Sequence, residues 1–198
     1  MTALPTRVVV LLEGHSDAVA VRVLCRRAGL PVESDALVLR DMHGVTNVGR
    51  HLREIEPGDR VLGLCDFAER RFVARALRAG GRTVESDDDL PRWGFEVCDR
   101  DLEDELVRAL GPERVLEVLR DLGELGRFRA LQRQPQWRDR DIHDQLRRFA
   151  GTHSGRKALL AERLTSALEP GAEPPPLARL VEAIEPLVAS GRHHPLPG

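Results

Sequence analysis

Between residues 7 and 98, apolar stretches too short to be helices alternate with longer segments of helical spacing. Arg7–Leu12 ends in five consecutive Val and Leu residues. That pattern marks a strand buried on both faces, as strands of parallel sheets are. Three further runs follow, Ala36–Leu39, Arg60–Cys65 and Phe95–Cys98. Ala18–Ala28, Val48–Ile55 and Ala68–Ala79 lie between them with helical spacing, and Leu102–Leu110 follows the last run. The alternation predicts an α/β fold with about four mainly parallel strands and helices on both faces.

From Pro112 the pattern changes, with no strand candidate and helical spacing over 113–122, 125–134, 142–149, 156–168 and 177–188. Pro135, Gly151 and the Pro-rich stretch 170–176 separate these segments. The expected organisation is an α/β core over 1–111, an all-helical extension over 112–190 that completes the site, and a flexible tail over 191–198. No apolar run approaches the ~18 residues that a membrane helix needs, and the N-terminus lacks a cleavable signal pattern. Cys25, Cys65 and Cys98 show no CxxC spacing and read as reduced core thiols of a cytoplasmic protein without membrane contact.

The chemistry collects where strands end, and ligands of open α/β sheets bind beyond the carboxyl ends of the strands. Glu13 closes the first strand, with Asp17 four residues on. Asp66 closes the third, with Glu69 beyond it, and Asp99, Asp101 and Glu103 follow the fourth. Carboxylates gathered at one edge repel unless a divalent cation neutralises them. Hard oxygen donors suit Mg²⁺ or Mn²⁺. Asp17, Asp101 and Asp104 also fit as helix-start acids that serve the dipole. Caps do not explain Glu13, which ends a strand before Gly14.

Taken in order, these segments resemble the motifs of TOPRIM domains. The residues are VVVLLEGHSD at 8–17, LGLCDFAE at 62–69 and FEVCDRDLEDEL at 95–106. The set is most similar to the TOPRIM domain of overcoming-lysogenization-defect (OLD) family nucleases, over roughly residues 7–160. The loop Met42–Asn47 matches that branch's Gly-rich segment. The resemblance implies a Rossmann-like TOPRIM core and metal ligands at Glu13, Asp17, Asp66, Asp101 and Glu103. Ala68 stands where the family has the second acid of Asp-x-Asp, and Glu69 is the substitute at hand. A catalytic set of Glu13, Asp66, Glu103 and Lys157 is implied as well. Ser154-Gly155-Arg156-Lys157 occupies the place of the family's downstream basic helix start, and Lys157 is the only Lys beside 29 Arg. An ammonium is a compact point charge, whereas a guanidinium is a planar fork. OLD nucleases carry an ATPase domain that is not read in this sequence. Gly151–Lys157 has the wrong spacing for a phosphate loop. A stand-alone protein is therefore expected, with a separate ATPase as a candidate partner and homo-oligomerisation left open.

Charge is unevenly spread. Residues 85–105 hold ten acids against Arg92 and Arg100, and residues 120–165 hold eleven bases against six acids. Within the basic stretch, Arg127, Arg129, Arg133, Arg138, Arg147, Arg148 and Arg156 alternate with Phe128, Trp137 and Phe149. Such a mixture suits phosphate contact and base stacking on DNA or RNA, although Phe128 and Phe149 fit a core equally well. His15, His143, His153 and Ser16 have no partner set. The chain contains no Tyr, which excludes the tyrosine nucleophile of TOPRIM topoisomerases. The function expected is metal-dependent phosphodiester hydrolysis, endonuclease- or nickase-like, on DNA or RNA. Two alternatives stay open. One is a degenerate TOPRIM module that binds nucleic acid or a partner ATPase, and the other is a nucleotidyl transferase or primase-like role.

Overall fold

A computed structural model describes residues 7–32, 34–152 and 154–191. His153 and the segment 192–198, which includes His193, His194 and nearly all of the expected tail, lie outside the described residues. Four strands, β1 (Val8–Leu12), β2 (Leu37–Asp41), β3 (Arg60–Cys65) and β4 (Phe95–Val97), form one sheet in the order β2-β1-β3-β4. All three pairings are parallel, as the unbroken apolar runs predict. β1 lies in the middle and is buried along its whole length.

Alternation along β1 sends successive side chains to two separate cores. Val8, Val10 and Leu12 join one cluster with α1 (His15–Arg27) and the later helices α4 (Leu102–Asp121), α5 (Leu125–Gln132), α6 (Ile142–Ala150), α7 (Ser154–Ala167) and α8 (Pro175–Gly191). Val9 and Leu11 join a smaller cluster with α2 (Val48–Arg53), α3 (Arg70–Ala79) and Phe95. Helices thus cover both faces, and those beyond Pro112 pack on the same side as α1. Phe128 and Phe149 meet edge to face at 5.4 Å inside the larger core, which settles their role as packing residues. The three cysteines are buried and unpaired, and burial pushes the Cys25 and Cys65 thiols up to about 12.

Element boundaries depart from the sequence reading where capping decides them. α1 begins at His15 instead of Ala18, because the Asp17 carboxylate accepts the Gly14 N–H at 3.1 Å and closes the helix start. Residues 102–121 form one element, interrupted at Gly111, whose φ of 74° breaks the helix just before Pro112. The acidic stretch between α3 and β4 holds a 3-10 helix, Asp87–Trp93. Ser86 caps it, and Asp89 reaches back to the N–H groups of Glu85 and Ser86 at 3.1 and 3.0 Å.

Candidate metal centre

In a sheet ordered 2-1-3-4, the winding reverses between β1 and β3, and the crevice beyond that pair is where such folds bind ligands. Leu12 pairs with Leu64 and Cys65 with Val97, so Glu13 and Asp66 leave the sheet side by side at the switch point. Backbone bonds fix the chain at Glu13 and just after Asp66. The Gly44 N–H donates to the Glu13 carbonyl at 2.8 Å, and the Phe67 N–H donates to the Arg100 carbonyl at 3.2 Å. The turn that delivers Gly44 has His43 at φ 54° and Gly44 at φ 110°, a conformation that strains any side chain at position 44. Asn47 locks it, its amide donating to the carbonyls of Met42 at 3.0 Å and His43 at 3.1 Å.

After Asp66 the chain makes a 3-10 turn, Phe67–Glu69, before α3 starts. In that geometry residues i and i+3 eclipse, so Glu69 lies over Asp66 while Ala68 faces solvent. Glu69, and not position 68, places a second carboxylate beside Asp66. One carboxylate oxygen from each of Glu13, Asp66 and Glu69 lies within 4.8 Å of the other two. Glu13 Oε2 and Glu69 Oε2 are buried without a hydrogen-bond partner, and none of the three acids makes an ion pair among the described residues. Burial, then Asp17, Asp101, Glu103 and Glu69, push the Asp66 carboxyl up to about 8. Burial and then the neighbouring carboxyls of Glu69 and Asp66 raise Glu13 as well. An all-oxygen donor set with unsatisfied buried oxygens can hold a hard divalent cation.

The other predicted ligands form a second group in which each acid has a partner of its own, although burial still raises the Asp17 and Glu103 carboxyls above their ordinary values. Asp17 is buried and engaged with Gly14. Asp101 caps α4, its Oδ1 accepting the Asp104 N–H at 2.8 Å. Its Oδ2 accepts both Nε–H, at 2.7 Å, and the terminal NH₂ of Arg147. Glu103 is buried, and the Lys157 ammonium stands 3.4 Å from its Oε1. Burial opposes the charge on Lys157, but Glu103, Asp17 and Asp66 outweigh it and hold its pKa above the ordinary value. The structure therefore brings Glu13, Asp66 and Glu69 into one carboxylate cluster and leaves Asp17 and Asp101 in capping bonds beside it.

Asp66, Asp101, Glu103 and Lys157 line one cavity of about 550 Å³. Its far wall comes from α6 and the preceding loop, including Arg147, Arg148 and two side chains absent from the sequence reading, Gln136 and Arg140. Of the predicted nucleic-acid contacts, Arg127, Arg148 and Arg156 line an adjoining cavity. Arg129, Arg133 and Arg138 are exposed and line neither cavity.

No protein-family model matches the sequence, and no curated protein matches it. Solved structures do. The C-terminal region of the Xanthomonas campestris pv. campestris OLD protein, phased with iodine, matches with a TM-score of 0.69 and 22% identity over 96% of this chain and 98% of that one. The mercury-phased form of the same region gives 0.68 and 20%, over 95% and 98%. The C-terminal region of the Burkholderia pseudomallei OLD protein gives 0.64 and 17%, over 92% and 98%. The chain is built on the fold of the C-terminal region of OLD proteins, the fold that its TOPRIM-like motifs predict.

Proposed function

We propose that this protein hydrolyses phosphodiester bonds of DNA or RNA with a divalent cation, Mg²⁺ or Mn²⁺, held by Glu13, Asp66 and Glu69. The observation that carries the reading is the meeting of these three carboxylates at the switch point, two of their oxygens buried and without a partner. A cation bound there supplies Lewis-acid polarisation of a phosphate oxygen and acidifies a bound water. Lys157 lines the cavity that Asp66 alone of the three acids reaches, and supplies a preorganised positive charge for the phosphoryl oxygens as their charge develops. Glu103 holds the ammonium in place. The basic wall opposite the acids receives the polymer's phosphates. A separate ATPase partner and a cytoplasmic setting belong to the same proposal. No helix among the described residues is long and apolar enough to cross a membrane.

One observation favours a second reading. Asp101, a ligand in the pattern that the motifs resemble, is committed to Arg147, as suits a module that binds nucleic acid without cutting it. Purified protein incubated with plasmid, single-stranded DNA and RNA, each with Mg²⁺, Mn²⁺ or chelator, separates the two. Cleavage that needs the cation supports the nuclease. Retention of nucleic acid without cleavage under every ion supports the binding module.

A further inference from the structure

The seven basic residues singled out in the sequence differ in how much charge they have left. Arg147 is held by Asp101, Arg138 pairs with Asp139 at 3.1 Å, and Arg127 pairs with Glu124 at 2.6 Å. Arg156 also reaches Glu124, at 3.5 Å, and lies over the Phe149 ring. Arg148 is exposed and makes no ion pair among the described residues. Its guanidinium carbon lies 5.9 Å from the centre of the Trp137 ring. Arg140, three residues beyond Trp137, is exposed and likewise without an acidic partner among the described residues.

Arg148 sits where two cavities meet, and Arg140 lines the first of them. The acidic cavity and a neighbouring one of about 660 Å³ share Gln136, Trp137 and Arg148. The second cavity is closed by Leu131, Phe149 and Thr152, so its walls are largely apolar apart from the arginines at its rim. Its size is that of a small-ligand site. The loop that carries Trp137 and Arg140 is held from beneath by Gln145, which is 4% exposed. The Gln145 amide donates to the carbonyls of Trp137 at 2.7 Å and Arg140 at 3.0 Å, and its Oε1 accepts from Gln132 at 2.7 Å. A buried amide with every bond made holds a loop in one conformation, and here that conformation presents an aromatic face and two uncompensated cations.

We infer that the second cavity is a nucleobase pocket. An unpaired base stacks on Trp137 while Arg148 and Arg140 hold the flanking phosphates, which leads the adjoining phosphodiester into the acidic cavity. The substrate class is then a strand with unpaired bases, since a base inside an intact duplex must first be unpaired and unstacked to enter the pocket. This inference rests on the reading of the acidic cavity as a phosphodiester site. Aromatic stacking is tolerant of base identity, so no sequence preference follows from it.

The test is binding without catalysis. Fluorescence anisotropy in chelator is read with labelled oligonucleotides of roughly ten residues, as single-stranded DNA, single-stranded RNA and duplex DNA. Wild-type protein should favour the single strands. Trp137→Ala should weaken single-strand binding roughly five- to a hundredfold and leave duplex binding unchanged. Trp137→Phe should keep most of the affinity but lose the quenching of tryptophan emission that binding produces, because Trp93 lies elsewhere. Arg148→Gln should lower the salt dependence by about one phosphate contact. A loss on both DNA and RNA assigns the pocket to the base, and a loss confined to one polymer supports the pocket and identifies that polymer. Single-strand binding by a folded Trp137→Ala protein at wild-type strength would overturn the inference, as would equal losses on single strand and duplex. Should Trp137→Ala fail to fold, Trp137→Phe and Arg148→Gln decide the matter. Metal-dependent plasmid cleavage by the wild type is scored separately, so the pocket and the nuclease reading can fail independently.

Discussion

Two groups of acids share the carboxyl edge of this sheet, and they are built in opposite ways. Asp17, Asp101 and Glu103 each have a cation or a helix-start N–H to answer their charge: Gly14, Arg147 with the α4 cap, and Lys157. Glu13, Asp66 and Glu69 make no ion pair among the described residues, and of the three only Asp66 acts on Lys157, through space. Acidic residues in a strand-end motif are therefore not interchangeable. A compensated acid serves the fold whether or not an ion arrives. An uncompensated, half-buried trio raises the free energy of the folded chain until a cation binds, and folds keep such local strain mainly where function needs it.

The sharpest break of that contrast comes from the uncompensated side. Glu13→Gln removes one ligand and one repelling charge at once. Metal-dependent cleavage should fall by at least about a thousandfold, comparable with losing a preorganised electrostatic element. Calorimetric Mn²⁺ binding should weaken in parallel, while the melting temperature in chelator rises. Cleavage near the wild-type rate would remove the distinction between the two groups.

Lys157→Arg probes the boundary between them. On an ordinary helix surface the exchange is silent, because charge and helix propensity barely change. Beside Glu103, a forked guanidinium cannot occupy the ammonium's position without displacing its neighbours. We expect a loss of roughly ten- to a thousandfold in rate with little change in the binding of uncut nucleic acid. Single-turnover rates compared with anisotropy affinities check it, and a silent exchange would return Lys157 to the surface.

How much of this contrast was legible beforehand depends on the range of the interaction. β3 was read to the residue, since Arg60–Cys65 is an apolar run bounded by Asp59 and Asp66. Glu13 and Asp66 stood out because strand ends are visible in such runs. Glu69 is visible as an acid beyond the strand, but its direction depends on whether the turn after Asp66 is α or 3-10, and nothing at 67–69 announces the tighter winding. The 3-10 helix at 87–93 had a readable signal in Ser86-x-x-Asp89, a capping pattern that the acidic run obscured. The Arg147–Asp101 pair joins residues 46 positions apart, and Gln145 clamps a loop through backbone carbonyls. Periodicity reports which face a residue lies on, not which distant partner meets it there.

A pH series sharpens the comparison without any ion. The folded-state pKa of Asp66, about 8, lies above the ~3.9 of an unfolded aspartate. A group raised in this way contributes stability that is fully present below the unfolded value and is lost as pH rises through the folded value. In chelator, the wild-type melting temperature should fall between about pH 4 and pH 8 relative to Asp66→Asn. Saturating Mn²⁺ should shrink the slope, because the cation binds the ionised carboxylates. Parallel curves for the two proteins in chelator would show that Asp66 does not carry the effect.

The smallest expected effect belongs to the compensated side, and it is the one that tests whether compensation removes an acid from the metal site. Asp101→Ala loses the α4 cap, a bond to the Asp104 N–H at 2.8 Å, and releases the Arg147 guanidinium to solvent. A lost cap of this kind typically costs about 1 kcal/mol. The Arg147 pair adds little, because its guanidinium is a third exposed and such pairs are screened. The variant should melt roughly 2–4 °C lower than wild type. Its Mn²⁺ affinity should stay within about threefold, since the exchange removes no member of the Glu13, Asp66 and Glu69 cluster and takes away only a neighbouring charge already paired with Arg147. Should Asp101→Ala instead abolish Mn²⁺ uptake as Glu13→Gln does, Arg147 must release Asp101 when the cation binds. The acids would then form one group, divided only in the absence of the ion.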